Sequence, residues 1–108
     1  MSKHVGRFQH LYSSAWWRRR RLIQLREHPL CEFCARQGRV VPAKVADHII
    51  KHNGDAMLFR EGELQSLCWS CHEQRKKSIE RLGYDRSIGL DGWPIDPLHP
   101  SYVRRFVR

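Results

Sequence analysis

Four cysteines in two Cys-x-x-Cys pairs flank the residues of this 108-residue chain that are best suited to chemistry. Cys31 and Cys34 lie in CEFC, and Cys68 and Cys71 lie in CWSC. A Cys-x-x-Cys turn points both thiolates at one place, and two such turns complete the tetrahedral shell of a structural Zn²⁺ ion. The alternatives are two disulfides, or four buried thiols without a metal. The spacing predicts a structural zinc site.

A second set of reactive residues lies between and just after these pairs. Asp47 and His48 are adjacent in ADHII, and His72 directly follows the last cysteine. Imidazole titrates near neutral pH, so His48 is a candidate base for activating water, and Asp47 is a hard oxygen ligand for Mg²⁺ or Mn²⁺. Phosphodiester hydrolysis needs such a base and such an ion. His72 belongs either to this site or to the zinc site, as a flanking residue or in place of a cysteine.

The charge of the chain indicates a polyanionic partner. With 20 Lys and Arg against 11 Asp and Glu, the formal net charge is +9, which favours nucleic acid, with an acidic membrane surface as the alternative. No apolar run approaches the roughly 20 residues of a membrane span, so no membrane partner is expected. The N-terminal MSKHVGRFQH lacks the apolar region of a signal peptide, and we expect a cytoplasmic protein with reduced cysteines.

Several basic residues lie close to these motifs or in the run WWRRRR. Those in the run could grip phosphates or be simply solvated, and those just after His72 are better placed for contacts with a nucleic-acid backbone. We predict nucleic-acid contacts from six residues: Arg18, Arg19, Lys51, Arg75, Lys76 and Lys77.

A helix ahead of the first cysteine pair is needed to support the site. Ser13 or Ser14 can cap this helix, which runs to about His28 and ends before Pro29. Its apolar residues are predicted to form one face, with the arginine run on the other.

Two strands and a second helix should carry the reactive residues. The apolar, β-branched residues 40–50 and the alternating residues 64–68 predict two strands. A capping box that begins at Ser70 predicts a helix to Leu82, with Gly83 just past its end. A chain of this length forms one small domain, and such a domain often needs a disulfide or a structural metal ion to stabilise it. We assign it to residues 13–83, after a flexible arm (1–12) and before an irregular extension (84–108) that packs on it.

The stretch from Cys31 to Arg75 resembles the HNH endonucleases, the ββα-metal group, and within it the small phage and prophage members with a four-cysteine zinc site. The motifs that carry the resemblance are CEFC, ADHII and LQSLCWSCHEQRKK. The helix with Trp and Arg before HPLC and the tail GLDGWPIDPLHP are also similar, so that the resemblance extends over about residues 16–100.

The resemblance implies an α+β fold: a small, treble-clef-like ββα-metal core stapled by zinc, with a preceding N-terminal helix and an irregular C-terminal tail. It implies that His48 is the general base, that Asp47 and His72 hold a catalytic Mg²⁺, Mn²⁺ or Ni²⁺ ion, and that the Zn²⁺ is structural. The implied activity is that of a DNA endonuclease or nickase that leaves 5′-phosphate and 3′-hydroxyl ends.

One position departs from the family pattern. The middle Asn of the family precedes Leu-Gln, where this chain has Glu63. An ionised glutamate can accept a hydrogen bond there but cannot donate one. Glu63 is therefore a doubtful catalytic residue, and Asn53 is an alternative for the orienting role.

The phage resemblance also implies a role in genome packaging beside the terminase, and we expect a monomer or a weak dimer. Two other functions stay open at this point. One is a non-catalytic zinc-binding module that docks DNA or a protein, and the other is an RNA-binding zinc ribbon.

Overall fold

The computed structural model describes residues 9–103, in which short helices surround a two-stranded sheet. The elements in chain order are α1 (Gln9–Tyr12), α2 (Ala15–Glu27), α3 (Glu32–Arg36), β1 (Val45–His48), α4 (Ala56–Glu61), β2 (Leu64–Leu67) and α5 (Trp69–Leu82). Residues 83–103 are irregular, with an isolated bridge between Ile88 and Pro94. Of the helices within residues 9–103, none is long and apolar enough to cross a bilayer.

The two strands form an antiparallel hairpin that leads directly into α5. Asp47 of β1 pairs with Gln65 of β2, and His48 pairs with Leu64. β1 is shorter than the predicted run, since Pro42 makes only an isolated bridge to Leu30 and proline has no N–H for a sheet ladder. The predicted α+β architecture is confirmed.

The start and end of α2 agree with the sequence signals, but its packing does not. The Ser14 side chain accepts a hydrogen bond from the Trp17 amide, and the helix ends just before His28. Trp17 is the buried residue of α2, whereas Leu22 is 61% exposed. The predicted apolar face is therefore wrong. Instead, Arg20 donates to the Phe59 carbonyl at 3.0 Å and fixes the helix by a polar contact.

The last helix begins earlier than its capping box predicts. Cys68 is the N-cap and α5 starts at Trp69, so Ser70 lies inside the first turn. This start brings Cys71 into the first turn as well, close to Cys68. At the other end the prediction is confirmed, because Gly83 closes the helix in the left-handed region with φ 88°, which glycine adopts without a Cβ clash.

Two small groups of buried residues form the interior. The cysteine cluster consists of Cys31, Phe33, Cys34, Leu67, Cys68 and Ile95. The aromatic cluster consists of Trp17, Ala46 and Phe59. Neither is large, so apolar burial alone supplies only modest stability.

The segment after α5 is anchored by buried charge. Asp85 and Asp96 are fully buried, and Arg75 of α5 donates to the Asp96 carboxylate at 3.0 Å. The same guanidinium donates to Asp47 at 3.0 Å. Removing one member of such a network would leave a buried charge unpaired, and the network ties this segment to β1.

The predicted flexible arm differs from the structure at its C-terminal end. Gln9–Tyr12 form a helical turn, and Tyr12 forms a hydrogen bond with His52 at 2.7 Å. Residues 1–8 of the arm and 104–108 of the extension lie outside the described residues.

Candidate active site

The four cysteines converge on one point. Cys31 caps α3 and Cys34 lies in its first turn, while Cys68 caps α5 and Cys71 lies in its first turn. All four sulfurs lie within 4.8 Å of one another, and Cys34 Sγ is 3.8 Å from Cys68 Sγ and 3.7 Å from Cys71 Sγ. Ligands at about 2.3 Å from a tetrahedral Zn²⁺ ion are about 3.8 Å apart. The cysteines are free, so the disulfide alternative is wrong.

The surroundings of the sulfurs affect how a cation would bind. Burial raises the pKa of the Cys31 and Cys71 thiols, so a bound cation would have to displace their protons. Arg39 Nη2 lies 3.5 Å from Cys34 Sγ, where it offsets part of the negative charge that four thiolates carry. The cysteine cluster is therefore a candidate metal site.

A cleft of about 830 Å³ lies beside the hairpin and α5. Asp47, His48 and His72 all line it. The tertiary structure thus brings His72 to the two adjacent residues Asp47 and His48, although 25 positions separate it from Asp47. Residues next to each other on a strand point to opposite sides. Asp47 and His48 nevertheless both line this cleft.

Asp47 and His72 present ligand atoms to each other. Asp47 Oδ2 accepts hydrogen bonds from Arg75 at 3.0 Å and from Gln65 at 3.3 Å. Its other oxygen, Oδ1, lies 3.5 Å from His72 Nδ1. This Nδ1 atom is buried and has no hydrogen-bond partner within residues 9–103. Two ligands of an octahedral ion of the size of Mg²⁺ are about 3 Å apart, so a small adjustment lets this pair bind one divalent ion.

The charge state of Asp47 suits a metal ligand. Burial by itself would raise its pKa, but the His72 imidazole, the Arg75 guanidinium and the Gln65 amide together hold the pKa of Asp47 below its ordinary value. The carboxylate is therefore ionised at neutral pH and available to a cation.

His48 is held in one orientation by its surroundings. Its ring stacks on Trp17 with centroids 5.3 Å apart, and its Nε2 lies 3.0 Å from the Phe59 carbonyl oxygen. A carbonyl only accepts, so Nε2 carries the hydrogen and Nδ1 keeps its lone pair. Burial lowers the pKa of His48, helped by Arg20 and opposed by the Phe59 carbonyl and by Asp47. The imidazole is therefore a neutral proton acceptor at neutral pH.

The contact to His48 comes from a helix that the sequence analysis missed. Phe59 lies in α4, whose N-cap Asp55 accepts a hydrogen bond from the Leu58 amide at 3.0 Å. Asp55 ahead of the helix-forming run AMLFRE was the available signal. The Glu63 side chain is exposed and outside the cleft lining, and only its carbonyl is engaged, by Ile49. Glu63 is thus not brought to the site.

Asn53, the alternative for the orienting role, does line the cleft. It adopts a left-handed conformation with φ 49° in the predicted Asn-Gly turn. The atom that orients His48 is the Phe59 carbonyl, not a group of Asn53.

The six residues predicted to contact nucleic acid lie in different places. Lys51 and Lys76 line the cleft. Arg18, Arg19 and Lys77 are exposed but lie outside its lining. Two cationic residues that the sequence analysis missed, Arg21 and Lys44, line the cleft instead.

The prediction for Arg75 is wrong. Its side chain is only 2% exposed, and its terminal nitrogens donate to Asp47, Asp96 and the carbonyls of His48 and Ile49. Because its terminal nitrogens already donate these hydrogen bonds, this guanidinium cannot bind a phosphate. Arg75 positions Asp47 and β1 instead.

His52 is a second buried imidazole of the cleft. The Gly54 amide donates to its Nδ1 at 2.9 Å, and its Nε2 lies 2.7 Å from the Tyr12 hydroxyl. Burial lowers the pKa of His52, as do His48 and Lys51, while Asp55 opposes them. His52 is therefore neutral in the folded protein at neutral pH.

We expect this buried imidazole to make the protein less stable in acid. Unfolded His52 binds a proton near pH 6.5, whereas folded His52 does not until the pH is lower. Its contribution to stability is complete above about pH 6.5 and is lost as the pH falls through the folded pKa. Urea unfolding at about pH 7.5 and about pH 5.5 should show a larger loss for wild type than for His52→Gln. The exposed His28→Gln is the control, and equal losses in wild type and His52→Gln would contradict the expectation.

Comparisons with known proteins agree with this geometry. A family model for HNH endonuclease matches residues 31–78. The crystal structure of a deep-sea thermophilic bacteriophage GVE2 HNH endonuclease with manganese ion aligns with a TM-score of 0.62 and 30% sequence identity. That alignment covers 73% of this chain and 88% of the phage chain. A comparison with curated protein sequences finds no significant match. The implied HNH-type fold is confirmed, and this chain belongs to the HNH endonuclease family.

Proposed function

We propose that this chain is a DNA endonuclease that depends on a divalent metal ion held by Asp47 and His72. The observation that carries the proposal is the pair Asp47 Oδ1 and His72 Nδ1, which face each other at 3.5 Å. His72 Nδ1 is buried and unpartnered within the described residues. A buried polar atom without a partner is costly, and a bound cation would remove that cost.

His48 is the proposed general base. Its Nδ1 is free because Nε2 donates to Phe59, and its lowered pKa keeps it neutral at neutral pH. In the proposed reaction, Nδ1 takes a proton from the water that attacks the phosphorus. The bond to the 3′-oxygen breaks, and this oxygen takes a proton from solvent, which leaves 5′-phosphate and 3′-hydroxyl ends. A divalent ion, when bound, supplies stabilisation of the negative charge that develops on the phosphate.

The two proposed metal sites differ in ligand chemistry. Four thiolates suit Zn²⁺, and we assign the cysteine cluster to a structural Zn²⁺ ion. A carboxylate and an imidazole suit Mg²⁺, Mn²⁺ or Ni²⁺. The manganese ion of the bacteriophage relative supports this choice for the catalytic site.

The cationic residues of the cleft support DNA as the substrate. Arg21, Lys44, Lys51 and Lys76 line it, on a chain with a net charge of +9. Such residues attract the phosphate backbone whatever the sequence. We expect a monomer or a weak dimer that nicks or cleaves DNA. The bacteriophage source of the relative supports a phage-linked role. We further propose that this chain acts in the cytoplasm, beside a phage terminase.

Cleavage of supercoiled plasmid tests the proposal. With Zn²⁺ retained, we expect nicked DNA on addition of Mg²⁺, Mn²⁺ or Ni²⁺ and none in their absence. His72→Ala should need much more metal, because it removes one of two protein ligands, while the exposed His28→Ala should behave as wild type. The opposite result is wild-type protein that binds the plasmid but leaves it supercoiled with every metal. That result would favour a non-catalytic docking module.

A further inference from the structure

We propose that the Tyr12 hydroxyl donates a hydrogen bond to a non-bridging oxygen of the substrate phosphate, and that His52 sets the direction of this donor. The inference rests on the proposed nuclease function and adds a substrate contact to it. Tyr12 lines the same cleft as Asp47 and His72, and this is the cleft in which the phosphate would bind.

The direction of the hydroxyl follows from three connected groups. The Gly54 amide donates to His52 Nδ1 at 2.9 Å. A ring nitrogen that accepts a hydrogen bond carries no hydrogen, so neutral His52 carries its hydrogen on Nε2. Nε2 lies 2.7 Å from the Tyr12 oxygen, which makes His52 the donor and Tyr12 the acceptor.

The Tyr12 hydrogen is thereby left for another partner. A phenol has a single hydrogen to donate, and it cannot point back at the Nε2–H of His52. The Tyr12 hydroxyl has no other hydrogen bond within residues 9–103. Tyr12 is 40% exposed and lines the cleft, so a group bound in the cleft can accept this hydrogen.

The ring of Tyr12 is held firmly enough to aim this donor. It meets both Trp17 and Phe59 edge-on, with centroids 5.3 Å apart in each pair, and offset or edge-on aromatic contacts are favourable. Burial and the negative charge of Asp47 raise the pKa of Tyr12, so the hydroxyl keeps its hydrogen at neutral pH. An anionic oxygen beside an ion at Asp47 and His72 is the acceptor that suits such a donor.

The packing of Tyr12 alone offers a simpler account, in which the ring only fills space in the aromatic cluster. Tyr12→Phe separates the two accounts, because it keeps the ring and removes the hydroxyl. We expect single-turnover cleavage of a duplex to slow by about 10- to 100-fold, the effect of one hydrogen bond to a charged group. The melting temperature should stay close to that of wild type.

The matched control is Tyr84→Phe. Tyr84 also meets a histidine edge-on, His99, with centroids 4.7 Å apart, but it does not line the cleft. Its cleavage rate should equal that of wild type. All rates are measured at a temperature at which circular dichroism shows each variant folded.

A double-mutant cycle tests the part played by His52. His52→Phe removes the donor that directs the Tyr12 hydroxyl, so it should slow cleavage when Tyr12 is present. In Tyr12→Phe there is no hydroxyl to direct, and adding His52→Phe should slow cleavage little further. Independent effects of the two substitutions would contradict the positioning role.

The outcomes separate this proposal from the proposed function. If wild type cleaves and Tyr12→Phe cleaves as fast, the hydroxyl contact is wrong and the nuclease function stands. If wild type does not cleave with Mg²⁺, Mn²⁺ or Ni²⁺, both proposals fall. A slow Tyr12→Phe, a normal Tyr84→Phe and a non-additive cycle together support the contact.

Discussion

Loss of the proposed zinc ion is expected to unfold this protein at room temperature. Structural Zn²⁺ contributes about 10–16 kcal/mol in small zinc-binding peptides at neutral pH, which matches or exceeds the whole stability of a typical domain, about 5–15 kcal/mol. Here the cysteine cluster contains residues of α3, β2 and the segment after α5. Without the ion, three parts of the chain lose their common attachment.

Cys34→Ser tests this most directly, because Cys34 is 2% exposed and its sulfur lies within 3.8 Å of two others. We expect the variant, and wild type treated with a strong zinc chelator, to lose the cooperative melting transition seen by circular dichroism. Metal content by mass spectrometry should fall in parallel.

A control is needed for loss of the second metal. His72→Ala should bind the catalytic ion much more weakly but keep the zinc and the fold, since His72 belongs neither to the cysteine cluster nor to the hydrogen bonds of Arg75. A wild-type protein that is free of zinc yet melts at its original temperature would rule out the structural role.

Replacement of His48 is expected to reduce DNA cleavage by about 10²- to 10⁴-fold, the usual contribution of a general base. His48 is the imidazole in the cleft whose free nitrogen is set by a backbone carbonyl. His48→Ala removes that nitrogen but also leaves a gap beside Trp17, on which the ring stacks. Some of its effect could therefore arise from loss of packing.

His48→Phe removes this ambiguity. A phenyl ring keeps the stacking on Trp17 and has no nitrogen to accept a proton. Single-turnover cleavage should fall as in His48→Ala, while DNA binding and the melting temperature change little. His28→Ala, at an exposed position, controls for the loss of a histidine as such. A His48→Phe rate within about tenfold of wild type would be too fast for loss of a general base.

Local signals were good guides to where elements begin and end. Ser14 and Gly83 act on their own neighbours, through a side-chain cap and a left-handed backbone, so their effects can be recognised in sequence. The start of α5 was mispredicted because Cys68, whose side chain makes no cap hydrogen bond, begins the helix two residues before Ser70. The convergence of the four cysteines outweighs a local capping preference.

Among the predicted residues of the site, the cysteines converge as expected, whereas the prediction for Arg75 is wrong. The spacing of the cysteines predicted their convergence, because each pair lies within a single turn. Arg75 looked like a phosphate contact, since a run of basic residues shows charge but not direction. Its guanidinium lies inside the protein because Asp96, which is 21 residues later in the chain, meets it there.

The sequence alone determined the family, the ligand types of both proposed metal sites and the presence of Asp47, His48 and His72, because these depend on residue type and short spacing. Only the tertiary structure decided which atoms are free to act. The Phe59 carbonyl leaves Nδ1 of His48 unprotonated, and Arg75 with Gln65 leaves one oxygen of Asp47 open towards His72. In both the His48 ring and the Asp47 carboxylate, hydrogen bonds from residues distant in the chain occupy one atom and leave the other atom free. A local sequence pattern cannot show which atom is left free.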